Sequence, residues 1–114
     1  MAGTQVSIRI DLENGGRIGP GKIALLEAIR NTGSITAAAR SIHMSYRRAW
    51  LLVDELNKLL SEPVVTTTTG GARGGSTTLT PVGEKTVALY HLIEARTRAA
   101  ARTEFQTFRT SMRR

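Results

Sequence analysis

Apolar and polar residues alternate at the start of the chain and then recur at helical spacing, and the switches of period mark out its elements. Val6, Ile8, Ile10 and Leu12 alternate with Ser7, Arg9 and Asp11, which predicts a strand with one buried face. Asn14-Gly15-Gly16 breaks it. Pro20 suits the first turn of a helix, where its missing N–H leaves no bond unmade. That helix is expected from about Gly21 to Asn31, with Ile23, Leu26 and Ile29 on its core side, Leu25 flanking, and Gly33 ending it. Ser34 then caps a short helix from Ile35 to about Ile42, whose Ala37, Ala38 and Ala39 allow another helix to lie close. His43 and Met44 make a tight connection, and Ser45 caps a third helix. There Ala49, Leu52, Val53, Leu56, Leu59 and Leu60 form an apolar stripe that stops before Pro63.

Val64 to Thr69 is β-branched throughout and predicts a strand, with Thr77 to Thr80 as its partner. Gly70, Gly71, Gly74 and Gly75 flank Ala72 and Arg73 in the loop between them, so the pair is a glycine-rich hairpin. Thr80-Pro81 opens a last helix running to roughly Phe105 or beyond, with Leu89, Leu92, Ile93, Ala99 and Ala100 as its apolar part. The order is strand, three helices, two-stranded wing and long C-terminal helix. That is an α+β winged helix-turn-helix. Residues 1–80 form the winged unit, and residues 81–114 add a dimerisation helix and basic tail to the same domain.

With 114 residues, 40% hydrophobic and 22% charged, the chain fits one globular domain. It has no cysteine, so disulfides and thiolate metal sites are excluded. No apolar run approaches the ~20 residues of a membrane span, and the start, MAGTQ, has no apolar signal stretch. A cytoplasmic location without a membrane partner is expected. The formal net charge of +7 favours an anionic partner. A solvated basic surface would give the same sum, so the placement of the arginines decides.

They are placed as a recognition helix requires. Ser45, Tyr46, Arg47 and Arg48 crowd the first turn of the third helix, the end that leads into a major groove. Arginines there oppose the helix dipole, which argues against a purely stabilising role. The face opposite the apolar stripe carries Arg47, Arg48, Leu51, Glu55 and Lys58. Trp50, next to Ala49, is expected as a packing anchor whose truncation costs ~3–5 kcal/mol. In the hairpin tip, Arg73 suits a phosphate or narrow minor groove and the glycines allow close approach. Arg96, Arg98, Arg102, Arg109, Arg113 and Arg114 make a basic tail, and Leu89, Leu92 and Ile93 a seam for a second copy.

Enzyme chemistry finds little to stand on. His43 and His91 have no metal-ligand spacing, Asp54 and Glu55 point to different helix faces, and Ser45 lacks a nearby histidine for a triad. Gly16, Gly21 and Lys22 have the spacing of a phosphate-binding loop, but Ile23 stands where such a loop needs Ser or Thr, and Pro20 withholds an N–H. Lys22 and Arg17 are better read as candidates for a DNA backbone. No enzyme activity, cofactor or metal is expected.

The residues GSITAAARSIHMSYRRAWLLVDELN, then PVV, GGARGG and LTPVGEK, resemble the N-terminal DNA-binding domain of the molybdate-responsive (ModE-type) transcriptional regulators, itself similar to the LysR-type winged helix. The resemblance runs from the Val6 strand to the last helix. It implies a homodimeric, sequence-specific regulator, a repressor of molybdate uptake genes in many members, bound to a palindromic duplex. By position it gives Ser45, Tyr46, Arg47 and Arg48 the recognition-helix role and Arg73 the wing role; with Ser34, Thr36 and Gly74 added, these are the residues expected to contact DNA. Members that sense the oxyanion carry C-terminal ligand domains, and this chain ends where those would begin. The expectation is therefore a single-domain relative, or one whose molybdate sensor lies elsewhere. Two other readings remain open: a protein-interaction module on a winged fold, and an oxyanion sensor with its site at the dimer interface.

Overall fold

The computed structural model describes residues 5–68 and 76–113. Its elements are β1 (Ile10–Asp11), β2 (Arg17–Ile18), α1 (Pro20–Thr32), α2 (Ile35–Ser41), α3 (Tyr46–Leu59), β3 (Val65–Thr68), β4 (Ser76–Leu79), α4 (Pro81–Ala100) and α5 (Arg102–Ser111). This is an α+β winged helix-turn-helix, with α1 to α3 as the helical unit and β3–β4 as the stem of the wing. No helix among the described residues is long and apolar enough to cross a membrane.

The N-terminal strand is shorter than its alternation predicts. Burial alternates from Gln5 to Leu12, yet only Ile10 and Asp11 are paired, antiparallel to Ile18 and Arg17. The partner sets the limit, because Gly19 and Pro20 turn at once into α1. The intervening turn closes with Leu12 N–H donating to the Gly16 carbonyl at 2.8 Å, and Asn14 Oδ1 accepts from Gly16 N–H at 3.0 Å.

The helix boundaries follow their local chemistry. Gly33 ends α1 at φ 72°, a left-handed turn that costs glycine nothing, and its N–H donates to the Ile29 carbonyl. Ser34, Ser45 and Thr80 cap α2, α3 and α4, their hydroxyls accepting from Ala37, Arg48 and Gly83 N–H groups respectively. Leu60 falls past the end of α3 in extended backbone and packs there only partly buried. The single long C-terminal helix is interrupted. Ala101 leaves helical geometry at φ −105° and ψ 17°, while Ala101 N–H still donates to the Thr97 carbonyl and Phe105 N–H to the Ala101 carbonyl. Alanine is the best helix former, and nothing in the structure explains the break.

The core lies between α1, α2, α3 and the wing stem. Ile23, Leu25, Leu26, Ile29, Leu56 and Val64 are almost wholly enclosed. Leu25, expected on the flank, is as buried as its neighbours because both α2 and α4 pack on α1. Residue by residue, β3 meets β4 as Val65–Leu79, Thr66–Thr78, Thr67–Thr77 and Thr68–Ser76. Thr77 N–H donates to the Gly33 carbonyl at 2.9 Å, so the turn that separates α1 from α2 also anchors the wing.

Candidate nucleic-acid interface

The first turn of α3 is built by its cap. Ser45 sits in extended backbone and its Oγ accepts from Arg48 N–H at 3.1 Å, while Ala49 N–H begins the regular ladder on the Ser45 carbonyl at 3.0 Å. The N–H groups of Tyr46 and Arg47 therefore head out of the helix end, where the dipole is positive. Arg47 and Arg48 add two exposed guanidinium groups to that end, and the Ser45 O–H remains a donor. Charge of one sign gathered this way is unfavourable within the chain, and an anion placed at that helix end would offset it.

Below that turn the helix has one buried and one outward face. Ala49, Leu52, Val53 and Leu56 are buried, so at 100° per residue Arg47, Leu51 and Lys58 stand opposite the core. Leu51 and Tyr46 are each 54% exposed. Trp50 overturns its reading as a packing anchor: it is 41% exposed. One residue past Ala49, it is rotated off the stripe, and the space against the core is already filled by Ala49 and Val53. Its ring instead meets Tyr46 edge to face, centroids 6.1 Å apart at 73°. Tyr46, Arg47, Trp50, Leu51 and Asp54 together line one shallow surface.

The other flank of α3 meets the N-terminal hairpin. Arg9, Arg17, Lys22 and Arg48 line a groove there with Glu55. Arg9 and Arg17 are exposed and share the Asp11 carboxylate at 3.0 and 3.7 Å. Lys22 is tied down, its Nζ donating to the Arg17 carbonyl at 2.7 Å and pairing with Glu55 at 3.2 Å. Of the two residues read as candidates for a DNA backbone, Arg17 faces solvent and Lys22 braces the hairpin against α3. Arg9 joins this basic edge only because β1 pairs with β2, a contact that no local spacing announces.

Ser34 is half-buried, its Oγ accepting from Ala37 N–H at 3.2 Å, and Thr36 is exposed on the first turn of α2. Among the described residues no hydrogen bond joins either to α3. Arg73 and Gly74 lie outside the described residues. The wing stem below them is fixed to α3 by Asn57, a residue the sequence pattern passed over. Its Oδ1 accepts from Val64 N–H at 2.9 Å and Val65 N–H at 3.1 Å, and its Nδ2 donates to the Val65 carbonyl at 3.2 Å. Asn57 shares the flank of Trp50, so Tyr46 and Trp50 stand on the wing side of α3 and Arg48 on the hairpin side.

A separate polar cluster joins α1 to α4. His91 meets Glu94 through Nδ1 and Glu27 through Nε2, each at 3.1 Å, and Arg30 pairs with Glu84 at 3.0 Å and Glu27 at 3.7 Å. The hydrogen bond to Glu94 first, then that to Glu27, holds the His91 pKa above its usual value. Among the described residues no group of three or more His, Cys, Asp or Glu is placed to hold a metal ion.

Residues 21–84 match the family described as bacterial regulatory helix-turn-helix protein, lysR family. The chain is 53% identical over 81 residues to the molybdenum-pterin-binding protein MopB of Rhodobacter capsulatus, covering 71% of this chain and 30% of that protein. It is 40% identical over 96 residues to the molybdenum transport protein ModE of Azotobacter vinelandii, covering 82% and 36%. Against the DNA-binding transcriptional dual regulator ModE of Escherichia coli (strain K12), it is 38% identical over 74 residues, covering 65% and 28%. The matched segment thus spans about a third of the length of these relatives. With the three helices and wing stem inside the matched region, the chain belongs to the lysR family of bacterial regulatory helix-turn-helix proteins, and its winged helix is of the ModE type.

Proposed function

We propose that the chain is the sequence-specific DNA-binding part of a transcriptional regulator, acting as a homodimer on a palindromic duplex and repressing where its site overlaps a promoter. One observation carries this reading: the exposed first turn of α3, where Ser45, Tyr46, Arg47 and Arg48 stand on the outer edge of a helix-turn-helix. Arg47, opposite the core, is assigned to base edges. Arg48, beside Arg9 and Arg17, is assigned to phosphate. Ser34, Thr36, Arg73 and Gly74 are assigned to the flanking backbone, on the expectation that the wing and α2 approach it.

The dimer reading rests on α4. Leu89, Leu92 and Ile93 are exposed, and Leu89 and Ile93 line an apolar groove with Ile10, Leu12, Ile18 and Tyr90. A second copy covering this surface would present two α3 helices to half-sites about one DNA turn, ~34 Å, apart. No effector is assigned to the chain. The molybdenum in the names of the Rhodobacter and Azotobacter proteins belongs to proteins of which the match covers 30% and 36%.

In vitro selection from random duplexes tests the reading. Enrichment of a two-fold symmetric site is expected, bound with a log K against log salt slope of about 0.9 per phosphate contacted. Arg47→Ala is expected to relax the selected sequence, and Arg48→Ala to weaken all duplexes and flatten the salt slope, with unfolding midpoints unchanged. Failure to enrich any sequence would sink the proposal. A monomer in sedimentation at concentrations that saturate the duplex would remove the dimer.

A further inference from the structure

We infer that Leu51, flanked by Trp50, is the thymine-reading element of α3: its side chain packs against the 5-methyl group of a thymine in the major groove, next to the base read by Arg47. The inference rests on the reading of α3 as the duplex-reading helix. Leu51 lies four residues after Arg47, one turn further along the same outward face and directly opposite the buried stripe. It is 54% exposed, yet it is not a stray apolar residue, because Tyr46, Arg47, Trp50, Leu51 and Asp54 line one continuous surface.

The surroundings choose the occupant. Arg47 and Arg48 border the apolar residues, and Arg9 and Arg17 continue the positive charge past the hairpin-side flank. Two copies meeting through this face would bring the Arg47 guanidinium groups together, whereas a duplex supplies anions around the groove and apolar groups within it. In B-DNA the exposed apolar group of the major groove is the thymine methyl, and it distinguishes A·T from T·A and from both G·C pairs. An arginine and a leucine one turn apart therefore fit a guanine and a thymine on neighbouring base pairs. Trp50, on the wing side, closes water out of that contact.

The test replaces each thymine of the selected duplex in turn with deoxyuridine, which removes only the methyl group. Wild-type protein is expected to lose about fourfold in affinity at one position per half-site, the value of one methyl withdrawn from apolar contact. The Leu51→Ser protein, altered at an exposed site, is expected to bind more weakly and to hold thymine and uracil duplexes equally well. Equal binding of fully thymine and fully uracil duplexes by the wild type overturns the inference and leaves the DNA-binding reading standing. A Leu51→Ser protein that keeps the wild-type thymine preference overturns it too. If no duplex is selected at all, both readings fall together.

Discussion

The carboxamide of Asn57 holds both backbone polar groups of Val65, accepting from its N–H at 3.1 Å and donating to its carbonyl at 3.2 Å. One side chain of α3 thus stands in for a strand partner at the start of β3, and it ties the wing stem to α3. Asn57→Ala removes three bonds, counting the one from Val64 N–H, and strands their partners in a partly buried place. A loss of about 1–3 kcal/mol is expected by urea denaturation. A stability within about 0.5 kcal/mol of wild type, the usual range for an inert surface change, would show that the grip is not held in solution.

Gly83 and Gly21 are both in first turns of helices, and alanine is expected to act in opposite directions on them. Helix propensity favours alanine over glycine by about 1 kcal/mol. At Gly21 an added Cβ meets nothing within 4 Å, so Gly21→Ala is expected to stabilise by about 0.4–1 kcal/mol. At Gly83 the added Cβ would collide with the Val64 carbonyl oxygen and its carbon, both backbone, where α4 crosses the start of the wing. Thr80 fixes that crossing by donating through its hydroxyl to the Pro63 carbonyl at 2.7 Å and through its N–H to Val64 at 3.0 Å. Gly83→Ala is therefore expected to destabilise by about 1–3 kcal/mol, as overpacking does. Thermal melts of the two variants, run side by side, check the signs, and a Gly83→Ala protein more stable than wild type would refute the close approach.

His91 makes the α1–α4 contact sensitive to pH. Its folded-state pKa lies above the ordinary 6.5 because Glu94 and Glu27 accept from the protonated ring. Its share of the stability is thus complete below 6.5 and fades as pH rises through the raised value. Arg30, paired with Glu27 and Glu84, faces the same cluster and moderates the effect. The stability gap between wild type and His91→Gln is expected to be larger at about pH 5.5 than at about pH 8.5. A gap that grows with pH would contradict the geometry.

What was legible in the sequence was local. Ser34, Ser45 and Thr80 declare their helix starts because a capping hydroxyl reaches only three residues ahead, and Gly33 declares an end because its backbone turn needs no partner. The exposed arginines at the start of α3 were legible because Arg47 and Arg48 follow a cap directly. Contacts between distant residues were not. Tyr90 donates to the Ile8 carbonyl at 2.7 Å across 82 residues, and Asn57 looks like any exposed helix residue until β3 arrives beside it. Arg9 reaches the basic edge through a strand that the pattern placed and whose partner, Arg17–Ile18, it did not. Trp50 departs from its expected place for a related reason: helical spacing gives the centre of a buried stripe, while the fate of a residue 100° away depends on what packs beside it.

Trp50 is the only tryptophan in the chain, so its fluorescence reports on the exposed side of α3 alone. A ring 41% exposed and stacked edgewise on Tyr46 is expected to emit at long wavelength and to be quenched readily by acrylamide. Truncation to alanine is expected to cost about 1–2 kcal/mol, below the ~3–5 kcal/mol of a buried large aromatic. Adding specific duplex is expected to shift the emission and protect it from the quencher, because Trp50 shares with Arg47 and Leu51 the surface proposed to enter the groove. Short-wavelength emission that resists acrylamide before any DNA is added would place the ring in a protein interface instead. In that event the wing-side flank of α3 would face another protein chain, and the proposed approach of α3 to DNA would have to change.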